Sequence, residues 1–318
     1  MVLAAASASV SAERERPNTF SMPGSVLLFG SYDDLRVVEP DREIRLKAPA
    51  DACGKYNGGY FAPPTISPSG DIIAWGFCTR WDQTRRQNRA RFALGLYSVA
   101  NETWQIYGDF DRIETATFSP TGSKIAFLAY HDHKARLFIF DVTTRTWADA
   151  PYPRAGIGTK ASMAWSPDET RLAVEILRGG LIYSPQMSDA DANRNPVIGV
   201  LTLTTGELQI FGEGFQPSWS PNGEWIAYYS PDGSTLLMMH ANGSGLKPVS
   251  RLRQGFFSYG SFAGAPVWSP DSKQLVVTVF RHETRLDIVL IDLASGRAIT
   301  KLKKVGVTPY GWVAQPVR

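Results

Sequence analysis

The sequence predicts an all-β fold: a six-bladed β-propeller of four-stranded antiparallel blades. Three observations carry that prediction. A turn motif recurs as TISPSGDIIAW, TFSPTGSKIAF, AWSPDETRLAV, SWSPNGEWIAY and VWSPDSKQLVV. Its prolines, Pro68, Pro120, Pro167, Pro221 and Pro270, stand 52, 47, 54 and 49 residues apart, a period that marks a repeat architecture. Each interval holds four short apolar runs parted by turn-formers, with no long helical period.

Each part of the motif has a mechanical reason. Proline presets φ at the second position of a tight turn, and Asp, Asn, Ser or Thr suits the next. Glycine then permits an unusual backbone angle, at Gly70, Gly122 and Gly223. Glu169 and Ser272 stand in its place in the other two copies, which predicts turns of a different type. An apolar residue closes the strand before the turn: Ile66, Phe118, Trp165, Trp219 or Trp268. The strand after it carries an apolar triplet whose small middle residue lies six positions past the proline: Ala74, Ala126, Ala173, Ala227 or Val276. Three consecutive apolar residues predict burial on both faces, and the small one lets a neighbouring sheet approach closely. Stretches such as RLFIFDVTTRTWADA, VIGVLTLTTGELQIFG and DIVLIDLASGRAITKL supply the third and fourth strands.

Five motif copies leave a sixth unit split between the chain ends. GWVAQP near the C-terminus supplies one inner strand, and MPGSVLLFGSYDDLRVVEPDREIRLKAP supplies three more. Such closure hides sheet edges. The expected domain is one propeller over residues 23–318, with residues 1–22 a disordered tail or a signal-peptide remnant. V-S-A before Glu13 fits a cleavage site, but the cationic start and strong apolar stretch of a signal peptide are missing.

The pattern W-S-P-[DN]-G-x-x-I-A-[FY] resembles the TolB-type repeat, found in the six-bladed propellers of the TolB family and in those of prolyl-oligopeptidase relatives. The resemblance covers nearly the whole chain from about residue 23, and it implies architecture more than activity. It also implies a periplasmic or secreted protein of a bacterium, with the cytoplasm as the alternative. The helical N-terminal domain of TolB itself has no counterpart in these segments, so its partner-binding role does not transfer.

Composition sets outer bounds. The 318 residues are 43% hydrophobic and 20% charged, enough for a sizeable core. A net charge of +3 is too small to argue for nucleic acid, and no apolar run is long enough to span a membrane. Cys53 and Cys78 form no metal motif, and the sequence leaves open whether they pair.

The candidate working face is the end opposite the S-P-x-G turns, where blades connect to one another and second strands connect to third. Long irregular loops on a rigid scaffold gather binding residues, and Arg and aromatic side chains favour interfaces. TRWDQTRRQNRAR places Arg80, Trp81, Arg85 and Arg86 there, suited to a phosphate, a carboxylate or an acidic surface, or simply to water. If the segment around His131 and His133 is extended, both imidazoles point one way and could share a metal with His282. Tyr183, Phe257, Tyr259 and Arg281 complete the candidate ligand-binding set. Asp189–Asn193 starts like a calcium loop but lacks its glycine and final glutamate. No G-x-S-x-G or H-E-x-x-H occurs, and AGIGTKAS has the wrong spacing for a phosphate loop.

The expected function is therefore a non-enzymatic binding or scaffold propeller. It would act as a monomer with no cofactor, no metal and no catalytic residue, and present its loop face to a protein, a peptide or a cell-envelope glycan. The alternative is a propeller lyase or hydrolase acting on an acidic saccharide. In that case Arg80 or Arg281 would hold a carboxylate, and His131, His133 or His282 a proton or a metal.

Overall fold

The computed structural model describes residues 25–29, 35–38, 43–46, 64–84, 87–152, 162–176, 196–252, 264–282, 285–305 and 308–313. Predicted features at Arg85, Arg86, Tyr183, Asp189–Asn193, Phe257, Tyr259, the AGIGTK segment and the chain's first 24 residues lie outside them. The described residues form strands and turns alone.

Each strand from β4 onward follows the order read from the motif. β4 (Thr65–Ile66), β5 (Ile72–Thr84), β6 (Gln87–Ser98) and β7 (Thr103–Phe110) form one sheet in that order. β8 (Arg112–Phe118), β9 (Lys124–His131), β10 (Lys134–Asp141) and β11 (Thr146–Ala150) form the next. The third holds β12 (Met163–Trp165), β13 (Arg171–Ile176), β14 (Val197–Thr202) and β15 (Leu208–Glu213). The fourth holds β16 (Phe215–Trp219), β17 (Trp225–Tyr229), β18 (Thr235–His240) and β19 (Lys247–Arg251). The fifth holds β20 (Val267–Trp268), β21 (Gln274–His282), β22 (Arg285–Asp292) and β23 (Ala298–Val305). In the last, β24 (Thr308–Val313) pairs with β1 (Ser25–Phe29), which continues to β2 (Leu35–Val38) and β3 (Glu43–Leu46). All pairings are antiparallel, and the N- and C-terminal strands share a sheet as the split unit requires.

The first strands of the sheets meet in cyclic order. β4 touches β8, β8 touches β12, β12 touches β16, β16 touches β20, β20 touches β24, and β24 returns to β4. Successive sheets therefore stack side by side around a common axis, with their inner strands facing it. The architecture is a β-propeller.

The core lies between neighbouring sheets. Ala74 packs with Ile113, Phe118, Ile125 and Phe127 of the next sheet, and Ala126 packs with Met163, Trp165 and Leu172 of the one after. Ala173 meets Trp219 and Ile226, and Ala227 meets Trp268 and Leu275. All four alanines are fully buried. The small middle residue of the triplet is thus the floor onto which the following blade sets its larger side chains. Two of the three motif tryptophans also tie blades by hydrogen bonds: Trp165 Nε1 donates to Thr117 O at 3.1 Å and Trp268 Nε1 to Ser218 O at 3.1 Å.

The turns correct one expectation. Glu169 and Ser272 do not change the turn type. Their φ angles of 56° and 60° lie in the same left-handed region as Gly70, Gly122 and Gly223. Their backbone N–H groups donate to Ser166 O and Ser269 O at 2.9 Å, as Gly70 and Gly223 do to Ser67 O and Ser220 O. The reason is that the turn is held by its serine. Ser220 Oγ accepts from Trp225 N at 2.9 Å and donates to Asn222 at 2.7 Å. Ser269 repeats this with Gln274 and Asp271, and Ser166 with Arg171 and Asp168. A frame this complete offsets the cost of about 1–2 kcal/mol for a side chain in the left-handed region.

At the opposite end the connections alternate. Long ones over 47–64, 151–162 and 252–266 separate sheets, but between them stand crossovers of one residue, Asp111 and Gly214, or the pair 306–307. Each short crossover leads into an inner strand with a bulge, at Glu114 in β8, at Gln216 in β16 and at Tyr310 in β24. The propeller is thus assembled as three pairs of sheets.

Candidate functional site: the crossover end of the ring

The crossover from β7 to β8 is the best defined part of the predicted working face. With Asp111 as the only residue between two strands, the chain reverses sharply, and its polar groups need partners. Arg91, from β6, supplies them. Its Nε meets Asp109 Oδ1 at 2.8 Å, Nη2 donates to Asp109 O at 2.7 Å, and Nη1 meets Asp111 Oδ1 at 2.5 Å. Asp111 Oδ2 then accepts the backbone N–H of His133 at 2.8 Å, reaching the β9–β10 hairpin of the next sheet. One guanidinium therefore fixes a blade, its crossover and its neighbour's turn.

The charges respond accordingly. The hydrogen bond from Arg91 holds the Asp109 carboxyl below the usual carboxylate range, against a smaller effect of burial, and Arg80 and His131 add to it. Arg91 in turn is held above its ordinary value, first by the Asp109 hydrogen bond.

His131 and His133 do not share a direction. Asp132 and His133 are the two central residues of a tight hairpin, with φ of 50° and 61°. Register pairs His131 with Lys134, so the segment is a turn and not an extended strand. Two positive φ values match the right-handed twist of the flanking strands, which is why a two-residue hairpin adopts them. His131 Nδ1 lies 3.3 Å from Asp132, whereas His133 Nδ1 lies 3.7 Å from Asp111. The two rings face different carboxylates, which corrects the shared-metal geometry. His282 ends β21 on a sheet adjacent to neither that of His131 nor that of Arg80. Among the described residues no group of three His, Cys, Asp or Glu side chains could hold a metal ion.

The remaining predicted residues fall as follows. Arg80 is exposed on β5 and opposite Arg91 in register, and Trp81 comes next on the same strand. Arg281 and His282 end β21, where His282 pairs with Arg285. Arg80, His131 and His133 therefore converge on Asp109 and Asp111, while Arg281 and His282 belong to a different part of the ring.

Sequence reasoning missed the buried polar line beneath. Arg112 Nε lies 2.8 Å from Glu114 Oε1, and the Glu114 side chain is only 2% exposed. Burial first, and the Glu114 charge second, push the Tyr130 phenol well above its usual range. On β16, Gln216 adopts φ 55° and donates its N–H to Glu175 Oε2 at 3.1 Å. The signal available was the run Asp109–Glu114, in which three acids and an arginine stand among strand residues with no glycine or proline.

Cys78 is fully buried at the base of the β5–β6 hairpin and is disulfide-bonded, and the chain's other cysteine is Cys53. This answers for Cys78 the question that spacing left open.

The fold defines the class: a β-propeller with TolB-type turn motifs. Among solved structures it is similar to TolB from Acinetobacter baumannii, at 15% identity and a TM-score of 0.63, over 92% of this chain and 67% of that one. It is also similar to a TolB structure from Agrobacterium tumefaciens, at 17% identity and a TM-score of 0.55, over 93% of this chain and 94% of that one. A chain of the nidogen/laminin complex matches at 12% identity and a TM-score of 0.58, over 92% and 100%. No family model matches the sequence, and no curated protein does. Likeness at these identities establishes the fold.

Proposed function

We propose that the six sheets are the six blades of one closed ring over residues 23–318, and that the ring is a non-enzymatic binding propeller working through its crossover end. In this reading the protein is an exported monomer. Its partner is a protein, a peptide or a cell-envelope glycan. A TolB and a laminin-complex component among the similar folds support a binding role. No helix among the described residues is long and apolar enough to cross a membrane.

The observation that carries the proposal is the contrast between the two ends of the ring. At the S-P-x-G end, serine, aspartate and turn amides are consumed by one another, and neighbouring turns clasp: Glu169 accepts from Thr121 N at 2.9 Å, and Ser272 Oγ accepts from Asn222 N at 3.0 Å. That end is built to hold the ring. The other end carries Arg80, Arg91, His131 and His133, the bulged inner strands and the long connections. Strand bulges and irregular connections on a rigid frame are where recognition is placed.

The test uses the full chain, immobilised by a tag at either terminus, to capture binders from extract of its native organism. A variant carrying Arg80→Glu, His131→Ala and His133→Ala is run beside a control carrying Ser244→Ala at the opposite end. A ligand lost with the first and retained by the second supports the reading. Retention by both places recognition elsewhere and overturns it. Turnover of a uronate polymer by the purified chain would favour the enzyme instead.

A further inference from the structure

A two-residue hairpin bonds the residues that flank it and leaves the amides of its two central residues outside the ladder. In the β9–β10 hairpin those central residues are Asp132 and His133, between the ladder pair His131↔Lys134. On an exposed turn such an amide is ordinarily left to water. Here the His133 N–H crosses to another blade and donates to Asp111 Oδ2 at 2.8 Å.

Asp111 offers that oxygen in one direction because the rest of the residue is held. Its backbone N–H donates to Tyr130 O at 2.9 Å, and its Oδ1 takes Arg91 Nη1 at 2.5 Å. The guanidinium is itself aimed by Asp109, with Nε on Oδ1 at 2.8 Å and Nη2 on the carbonyl oxygen at 2.7 Å. A planar fork engaged at Nε, Nη1 and Nη2 has one orientation, which a swinging ammonium would lack. The Arg91 and Asp111 side chains are only 24% and 22% exposed, so salt screens the pair less than it screens a surface pair.

The hairpin has a second seat of a different kind. The His131 ring stands edge-on to Phe110, with centroids 6.0 Å apart. That contact holds one side of the turn by packing, while the carboxylate holds the other by a charge-assisted bond.

We propose that Arg91 is the positioning residue of a latch between two blades: it fixes Asp111 so that the order of the next blade's β9–β10 hairpin is set from β6. A group that draws the guanidinium away from Asp111 loosens the hairpin, and one that braces it tightens the hairpin. Two blades of the crossover end then respond as one. The latch is a property of the free chain, and its bearing on recognition rests on the binding reading above.

The test reads amide exchange at His133 by NMR in the full chain, with Gly122, in the S-P-x-G turn of the same sheet, as the internal reference. Arg91→Met is expected to speed exchange at His133 by at least about tenfold, the worth of a hydrogen bond to a charged group, and to leave Gly122 unchanged. Arg91→Lys keeps the charge without the fork and is expected not to restore the wild-type rate. Arg91→Met/Asp111→Ala is expected to exchange no faster at His133 than Asp111→Ala alone, because the arginine acts through that carboxylate. An unchanged His133 rate in Arg91→Met overturns the latch, as does a wild-type rate in Arg91→Lys. Additive effects in the double variant, or an equal rise at Gly122, overturn it as well. None of these outcomes decides whether the crossover end binds a ligand, so failure removes the latch alone.

Discussion

Glu169 occupies the position that three other turns give to glycine, and it turns the cost of that conformation into a clasp. Its carboxylate accepts from Thr121 N at 2.9 Å and Oγ1 at 2.6 Å, and from Lys124 Nζ at 3.2 Å, all on the preceding blade. Burial pushes the carboxyl upward, but the hydrogen bonds from Thr121, Ser119 and Lys124 outweigh it and hold it at about 2. A depressed carboxylate stabilises the fold fully above its unfolded value of 4.5, and the contribution is lost as pH falls toward about 2. Glu169→Gln is therefore expected to cost on the order of 2 kcal/mol at pH 7. Urea denaturation should show wild type and variant converging as pH drops through that window. A gap that stays constant would mean the clasp does not depend on charge. Ser272 uses the same position with a shorter reach, onto Asn222 N. Sequence alone reads both departures from glycine as a change of turn. The serine frame that keeps the turn unchanged depends on hydrogen-bond partners up to five residues away, which a local turn rule does not see.

Among the elements, the short crossovers were the least legible. Long loops announce themselves through Gly, Tyr and polar runs. A one-residue crossover leaves two strands fused into one apolar stretch, as in ELQIFGEGFQPSW. Gly214 makes that reversal at φ 153°, and a Cβ there would stand 2.5 Å from Tyr229 O and from Tyr228 Cδ2. Both tyrosines are buried, so neither can yield cheaply. Gly214→Ala is expected to destabilise by about 3 kcal/mol, visible as a lower urea midpoint with unchanged slope. A neutral effect would mean the crossover relaxes freely. The β9–β10 hairpin teaches a related lesson. His131 and His133 look like a metal pair when taken as strand, and become two rings beside different carboxylates once Asp132 and His133 are seen to be the turn. Nothing in H-D-H-K distinguishes these readings without the register of the flanking strands. The apolar triplets were the opposite case. Their burial on both faces was legible because five copies repeat it at one offset.

At the scale of the molecule, closure by strands from both chain ends comes from simple counting: five motifs and a split remainder. The cyclic contact of the inner strands, with β24 between β20 and β4, agrees with it. Trp312 is the buried anchor of that closing strand, 8% exposed and paired with Val26. Trp312→Ala is expected to remove about 3–5 kcal/mol, read by thermal unfolding in circular dichroism. Retained wild-type stability would mean that the ring does not depend on this strand. The grouping into three blade pairs was not legible, because it rests on where strands end and not on which residues fill them. The sequence already points to the end opposite the S-P-x-G turns as the working face, through its long connections; what it does not show is that the polar groups of the S-P-x-G turns satisfy one another.

Recognition, on this view of the molecule, belongs to the crossover end. Hydrogen–deuterium exchange of the full chain, alone and with a captured ligand, tests that claim most directly. Slowed exchange is predicted at 80–91, 109–114 and 130–134, with the S-P-x-G turns unchanged. Protection confined to 67–70, 119–122, 166–169, 220–223 and 269–272 would contradict it.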